Sequence, residues 1–315
     1  MWLKSSSIGR KLVMAITGAC LVLFVTFHAV MNSVAIFWPT AYNVICEFLG
    51  ANWYALIATV GLAALFVLHI IYAIWLTLQN RRARGPERYV INARQPQVEW
   101  SSKNMLVLGI VVVAFLVVHL IQFWSKMQLA EITHCPVMDE NGPVLPQLGT
   151  RFLEMAFSQI YTPIIYIIGF IALWFHLNHG FWSMFQSCGW NNTVWINRLK
   201  TISCWWTSIV VLMFVAQAIV FTVQARSGFY STNPALIEQY QAAEAAHLEV
   251  ACAATRCEEA PCAAAPCAQE ACTQEACTAA DEACAVECCK ANNGNCPEGV
   301  CVAGECKSEC YKAAE

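Results

Sequence analysis

The sequence predicts an all-α membrane protein, with five transmembrane helices followed by a Cys-rich, low-complexity C-terminal tail. Three observations carry this expectation. The 315 residues are 58% hydrophobic and only 12% charged, with a mean hydropathy of +0.50, whereas water-soluble domains keep about a quarter of their residues charged. The apolar residues gather in five long runs. Composition also breaks once: all 12 Trp precede Asn233, and 13 of the 18 Cys lie from Cys252 onward. Residues 1–237 carry 14 Lys and Arg against 7 Asp and Glu, while 238–315 carry 4 against 14. Two domains are therefore expected, a basic, Trp-rich membrane body over 1–237 and an acidic, Cys-rich tail over 238–315.

The five runs cover roughly 12–38, 53–78, 104–126, 159–186 and 204–225, each about the 20 residues a helix needs to cross a hydrocarbon core. Strands of a membrane barrel would be half as long and alternating. The first run follows Lys4, Arg10 and Lys11 in the manner of a signal peptide, but it is too long for one and lacks a small-residue cleavage site. Orientation follows from basic residues in the short loops. The N-terminal segment holds those three, the second loop holds Arg81, Arg82, Arg84, Arg88, Arg94 and Lys103, and the fourth holds Arg198 and Lys200. The first loop has none, and the third has Arg151, with Lys126 at its helix edge. The N-terminus is thus expected inside and the tail outside, which in a bacterial inner (cytoplasmic) membrane means the periplasm.

Ionisable side chains within a span are rare and mark sites. His28, His69, His119 and His176 fall one on each of the first four runs, with His179 three residues beyond His176. A single such His is ordinarily a polar residue bonded across a helix interface; four on successive helices call for another explanation. His28 and His119 lie past the middle of outward-running helices, and His69 and His176 past the middle of inward-running ones. The two levels differ by on the order of 10 Å at 1.5 Å per residue. Two stacked haems fit, an outer one between His28 and His119 and an inner one between His69 and His176. The same four His would be the ligands of the haem irons. His179 is an alternative inner ligand or a propionate contact. Neutral imidazole is a good haem ligand, and two of them leave no open position for oxygen, favouring electron transfer. Zinc or copper transport would draw on Asp, Glu or Met beside the His, and the helix centres hold almost no carboxylates. His134 in the third loop and His247 in the tail are expected to be solvated.

The segments FHAVMN around His28, LHIIYAIW around His69, VHLIQFW around His119 and FHLNHGFWSMFQSCGW around His176 resemble the single-chain, five-helix, di-haem cytochrome b subunit of succinate dehydrogenase and fumarate reductase. The resemblance covers roughly residues 8–226. It implies the same outer and inner ligand pairs, with His176 rather than His179 as ligand. It also implies a membrane anchor that passes electrons between an iron-sulfur subunit and membrane quinone, with a flavoprotein as third partner; menaquinone as the quinone and fumarate reduction as the direction are expectations that neither the resemblance nor any residue carries. No flavin fold or iron-sulfur motif occurs in the body, so dicarboxylate chemistry is expected in the partners, and nucleic acid is not among them. Quinone reduction needs a proton-exchanging group near the ring carbonyls. Glu47, in YNVICEFLG, is the one acidic residue among the first 86, and some family members carry an ionisable residue near this place at an outer quinone site. Other members have a Glu two residues before the fourth-helix ligand; here that position is Trp174.

The tail repeats Cys every five residues at Cys252, Cys257, Cys262, Cys267, Cys272 and Cys277, then at looser intervals to Cys310. A five-residue step turns about 140° round a helix, so the thiols form no stripe. With few large apolar residues the tail cannot bury a core and is expected to be poorly ordered. A disulfide-stapled segment and a soft-metal thiolate cluster are both open, beside a repeat-expanded appendage. Two alternatives remain for the whole chain. One is a di-haem anchor of another respiratory enzyme, such as a hydrogenase or formate dehydrogenase. The other is a metal-handling membrane protein whose tail captures ions.

Overall fold

The structure, a computed structural model, describes residues 6–50, 52–85, 99–133, 136–139, 142–190 and 192–254. Arg88, Arg94, His134 and the Cys repeat beyond residue 254 lie outside them. Five helices are long and apolar enough to cross a membrane: α1 (Ser7–Phe37), α3 (Trp53–Arg84), α4 (Trp100–His119), α7 (Tyr161–Ser187) and α8 (Thr193–Arg226). Helix α4 continues into a π-helical turn, Leu120–Trp124.

Local chemistry sets the ends. Ser6 caps α1, its hydroxyl accepting from Gly9 N at 2.9 Å. Asn192 caps α8 by accepting from Val194 N and Trp195 N at 3.2 and 2.8 Å. That cap starts the fifth span at Thr193, well before the apolar run, because a short polar side chain satisfies the free N–H groups of a first turn whether or not the turn is apolar. Within the spans, Thr17, Thr26 and Ser33 return their hydroxyl protons to carbonyls four residues earlier, which removes an unpaired donor from an apolar setting.

Helix α7 is the hub: it packs on α1, α4 and α8, while α1 also packs on α3 and α8. Among the described residues, neither α1 with α4 nor α3 with α7 forms an extended packed interface. Exposed Ile57, Val60, Val67, Ile71, Ile74 and Leu78 line α3, and an apolar surface of that extent calls for lipid or protein cover.

The first and third loops are structured. Helix α2 (Pro39–Gly50) packs on α6 (Gly149–Phe157), and between the third span and α6 run α5 (Gln128–Thr133) and the antiparallel hairpin β1 (Val137–Asp139) and β2 (Gly142–Val144). Asn43 Oδ1 accepts from both Thr150 N and Thr150 Oγ1 at 2.9 Å, tying α2 to the first turn of α6. Arg151 bridges Asp139 and Glu154.

The division between the two units of the chain falls after Ile237. After the short helix α9 (Phe229–Thr232), helix α10 (Pro234–Ala254) occupies the start of the segment expected to be poorly ordered. Asn233 Oδ1 accepts from Ala235 N at 3.1 Å, Pro234 stands at the first helical position, and Ala, Glu and Gln dominate the turns beyond it. Those signals favour a helix without any core.

Helices α4 and α7 meet at Gly169, where a β-carbon would overlap the Phe115 side chain including its own β-carbon. Ring rotation alone cannot relieve that overlap. Gly169→Ala is expected to lower stability by about 1–3 kcal/mol. Gly61→Ala, with nothing within 4 Å of the added carbon, is expected to be neutral or stabilising by up to ~1 kcal/mol. Thermal unfolding of both variants in detergent checks the contrast.

Candidate cofactor site: two facing histidine pairs

The histidines of the four spans come together in two pairs, each in an edge-type ring contact. His28 of α1 and His119 of α4 have ring centroids 5.8 Å apart, and His69 of α3 and His176 of α7 6.3 Å apart. These are the partners expected from helix depth. Each pair joins two helices that do not pack extensively on one another, so the imidazoles reach across a wide part of the bundle.

The two levels are linked by glycines that hydropathy and His spacing did not single out. A β-carbon at Gly18 would lie 3.6 Å from His69 Cε1, and one at Gly109 would lie 3.7 Å from His176 Cε1. Helices α1 and α4 therefore pass the second pair at Gly18 and Gly109, and each carries its own His ten residues further on. Ten residues rise about 15 Å. The levels are thus further apart than the helix midpoints suggested: His28 and His119 lie well past the middle of their spans, while His69 and His176 lie within two residues of it. The repeated Gly-to-His spacing was available in the sequence as the signal.

The surroundings of the pairs differ. Phe24 stacks on His28 with centroids 5.4 Å apart, Phe214 lies 6.1 Å away, and His119 is flanked by Phe115, Phe123 and Tyr166. Tyr166 OH is 3.1 Å from His119 Nδ1. The π-turn begins one residue after His119, closing with Ser125 N donating to Leu120 O at 2.8 Å; such turns often accompany functional sites. At the other pair, Thr17 Oγ1 is 3.3 Å from His69 Nδ1, and His176 Nδ1 is buried with no hydrogen-bond partner among the described residues.

His179 belongs to a different group. Its Nδ1 is 3.6 Å from Glu99 Oε2, Lys200 Nζ donates to Glu99 Oε1 at 2.8 Å, and Trp182 makes a T-shaped ring contact with His179 at 4.8 Å and carries Lys200 Nζ over its face at 4.6 Å. Burial alone would push the Glu99 carboxyl up, but Lys200 and His179 together hold it below the ordinary carboxylate range. Glu99 directly precedes α4, and neither it nor the contact to Lys200 of α8 was visible from spacing. Glu47 lies on the exposed side of α2, one residue after Cys46. Trp174 Nε1 donates to Ser208 Oγ at 3.0 Å, and His247 is exposed on α10.

Two imidazoles gripping one metal from opposite sides, with bonds of about 2 Å, have centroids about 6 Å apart. Both pairs meet that separation. Among the described residues no group of three or more His, Cys, Asp or Glu is placed to hold a metal ion. No family model, curated protein or solved structure matches the chain.

The Glu99 carboxyl is held down in the folded protein, so its contribution to stability is present above the ordinary carboxylate value and lost as pH falls through the lowered one. Glu99→Gln should remove that acid-dependent part, with a loss below about 1 kcal/mol at neutral pH because the ion pair is one-third exposed. Unfolding midpoints from pH 7 down to about 3, compared between wild type and variant, check both sign and size.

Proposed function

We propose that the chain is the di-haem cytochrome b membrane anchor of a succinate:quinone oxidoreductase, moving electrons between an iron-sulfur subunit and membrane quinone. The observation that carries the proposal is the pair of facing imidazoles at each of two levels, 5.8 and 6.3 Å between centroids, drawn from four successive spans. The levels lie about 15 Å apart along α1 and α4, which suits a relay across the bundle. Haem b, when bound, supplies one-electron transfer, and ligation from both sides favours that role over oxygen chemistry. His28 and His119 would hold one haem, and His69 and His176 the other. The four His-centred segments of the spans support the choice of enzyme; menaquinone as the quinone and fumarate reduction as the working direction complete the proposal.

On this reading the chain sits in a bacterial cytoplasmic membrane, the N-terminus and basic loops facing the cytoplasm and the tail the periplasm. The flavoprotein and iron-sulfur subunits dock on the basic face and carry the dicarboxylate chemistry. Glu47, exposed on α2, serves as the proton-exchanging group of a quinone site on the opposite face.

A reduced-minus-oxidised spectrum of purified wild type and single Ala variants of His28, His69, His119, His176 and His179 tests the haem assignment. Each of the first four substitutions should remove about half of the b-type signal through loss of an axial ligand, and His179→Ala should retain all of it. Membranes containing the complex should show oxidation of the pre-reduced haems by fumarate. A folded chain without haem overturns the proposal, and reduced haem that fumarate cannot oxidise overturns the choice of enzyme.

A further inference from the structure

Thr17 and His69 approach from different helices, and the direction of the bond between them has a chemical consequence. Thr17 is almost fully buried, 3% exposed on α1. Its hydroxyl has one proton and two acceptors within its own helix, Val13 O at 2.9 Å and Met14 O at 3.1 Å. Both are closer than His69 Nδ1 at 3.3 Å, and return of a Thr proton to the preceding turn is the ordinary helical arrangement. With that proton committed, the oxygen has only lone pairs left for His69. Nδ1 must then carry the ring proton and donate it.

We infer that Thr17 is a positioning residue that fixes the tautomer of His69: by accepting from Nδ1–H it leaves the lone pair on Nε2, the state in which a neutral imidazole can bind a metal through Nε2. Tyr166 at His119 does not impose the same choice, since its hydroxyl can donate or accept at 3.1 Å. His176, with Nδ1 unpartnered among the described residues, has no such control. One ring of the second pair is therefore set before any ligand arrives, and Gly18, the residue after Thr17, also lies beside His69, where an added β-carbon would be 3.6 Å from Cε1. A hydrogen bond of this kind also raises the basicity of the opposite ring nitrogen and favours the oxidised metal. The tautomer stands on geometry alone; its effect on haem rests on the di-haem proposal.

The test uses the purified full chain, wild type, Thr17→Val and Thr17→Ser, with redox potentiometry and haem content as readouts. The haem held by His69 and His176 is recognised by its loss in His176→Ala. In Thr17→Val that haem should bind about 10-fold more weakly and its potential should move upward. The haem at His28 and His119 should stay unmoved, and Thr17→Ser should restore wild-type values. Unchanged potentials and haem content in Thr17→Val, equal shifts of both haems, or failure of Ser to restore would overturn the inference. Should the folded wild type hold no haem, the di-haem proposal fails, and nitrogen-15 NMR of the histidine-labelled chain tests Thr17 by itself. A proton on Nδ1 of His69 in wild type and Thr17→Ser but not held there in Thr17→Val supports the inference. A proton on Nε2 in wild type overturns it.

Discussion

A neutral imidazole carries one donor and one acceptor, and neither is cheaply buried among apolar helices. Four such rings inside one bundle are the constraint on which the remaining structure turns. The chain meets it by facing the rings in pairs, by lending hydroxyls from Thr17 and Tyr166 to two of them, and by surrounding the His28 and His119 pair with aromatic rings. Each pair joins helices that are kept from close packing, so cohesion has to come from elsewhere.

It comes from α7 and α8. The buried face of α8 includes Val210, Phe214, Gln217 and Phe221, and Gln217 Nε2 donates to Ala29 O and Ser33 Oγ of α1 at 2.7 and 2.9 Å. The fifth span carries no His and acts as the strut that fixes α1 relative to α7, leaving α3 and α4 on the flanks. At one end of the bundle, α2 and α6 are tied by Asn43 and Thr150. Where the fourth and fifth spans come together with the residue before α4, the cluster of His179, Glu99, Lys200 and Trp182 connects three chain segments.

Much of this architecture was legible in the sequence because hydrophobic length and rare polar residues are strong signals inside membranes. The five spans and the pairing of their histidines follow from run length and depth. The fifth span began earlier than its apolar run because Asn192 supplies a cap, and caps act on backbone groups that hydropathy does not register. Helices α2 and α6 and the short hairpin were missed because they are held by contacts between distant segments, as with Asn43 and Thr150. The π-turn after His119 leaves no compositional mark. Helix α10 was hidden by treating Ala-rich composition as tail when Asn233 and Pro234 were in place to start it. At the site, Thr17, Glu99 and Lys200 are unremarkable residue types whose roles exist only through partners far away in the chain, whereas Gly18 and Gly109 repeat the same spacing to His28 and His119 and were readable.

The central claim is that each facing pair holds one haem. Pyridine haemochrome analysis of the purified full-length chain, set against protein concentration from amino-acid analysis, measures that directly. Two b-type haems per chain, one for each imidazole pair, is the predicted result. A folded chain carrying one haem or none would contradict it.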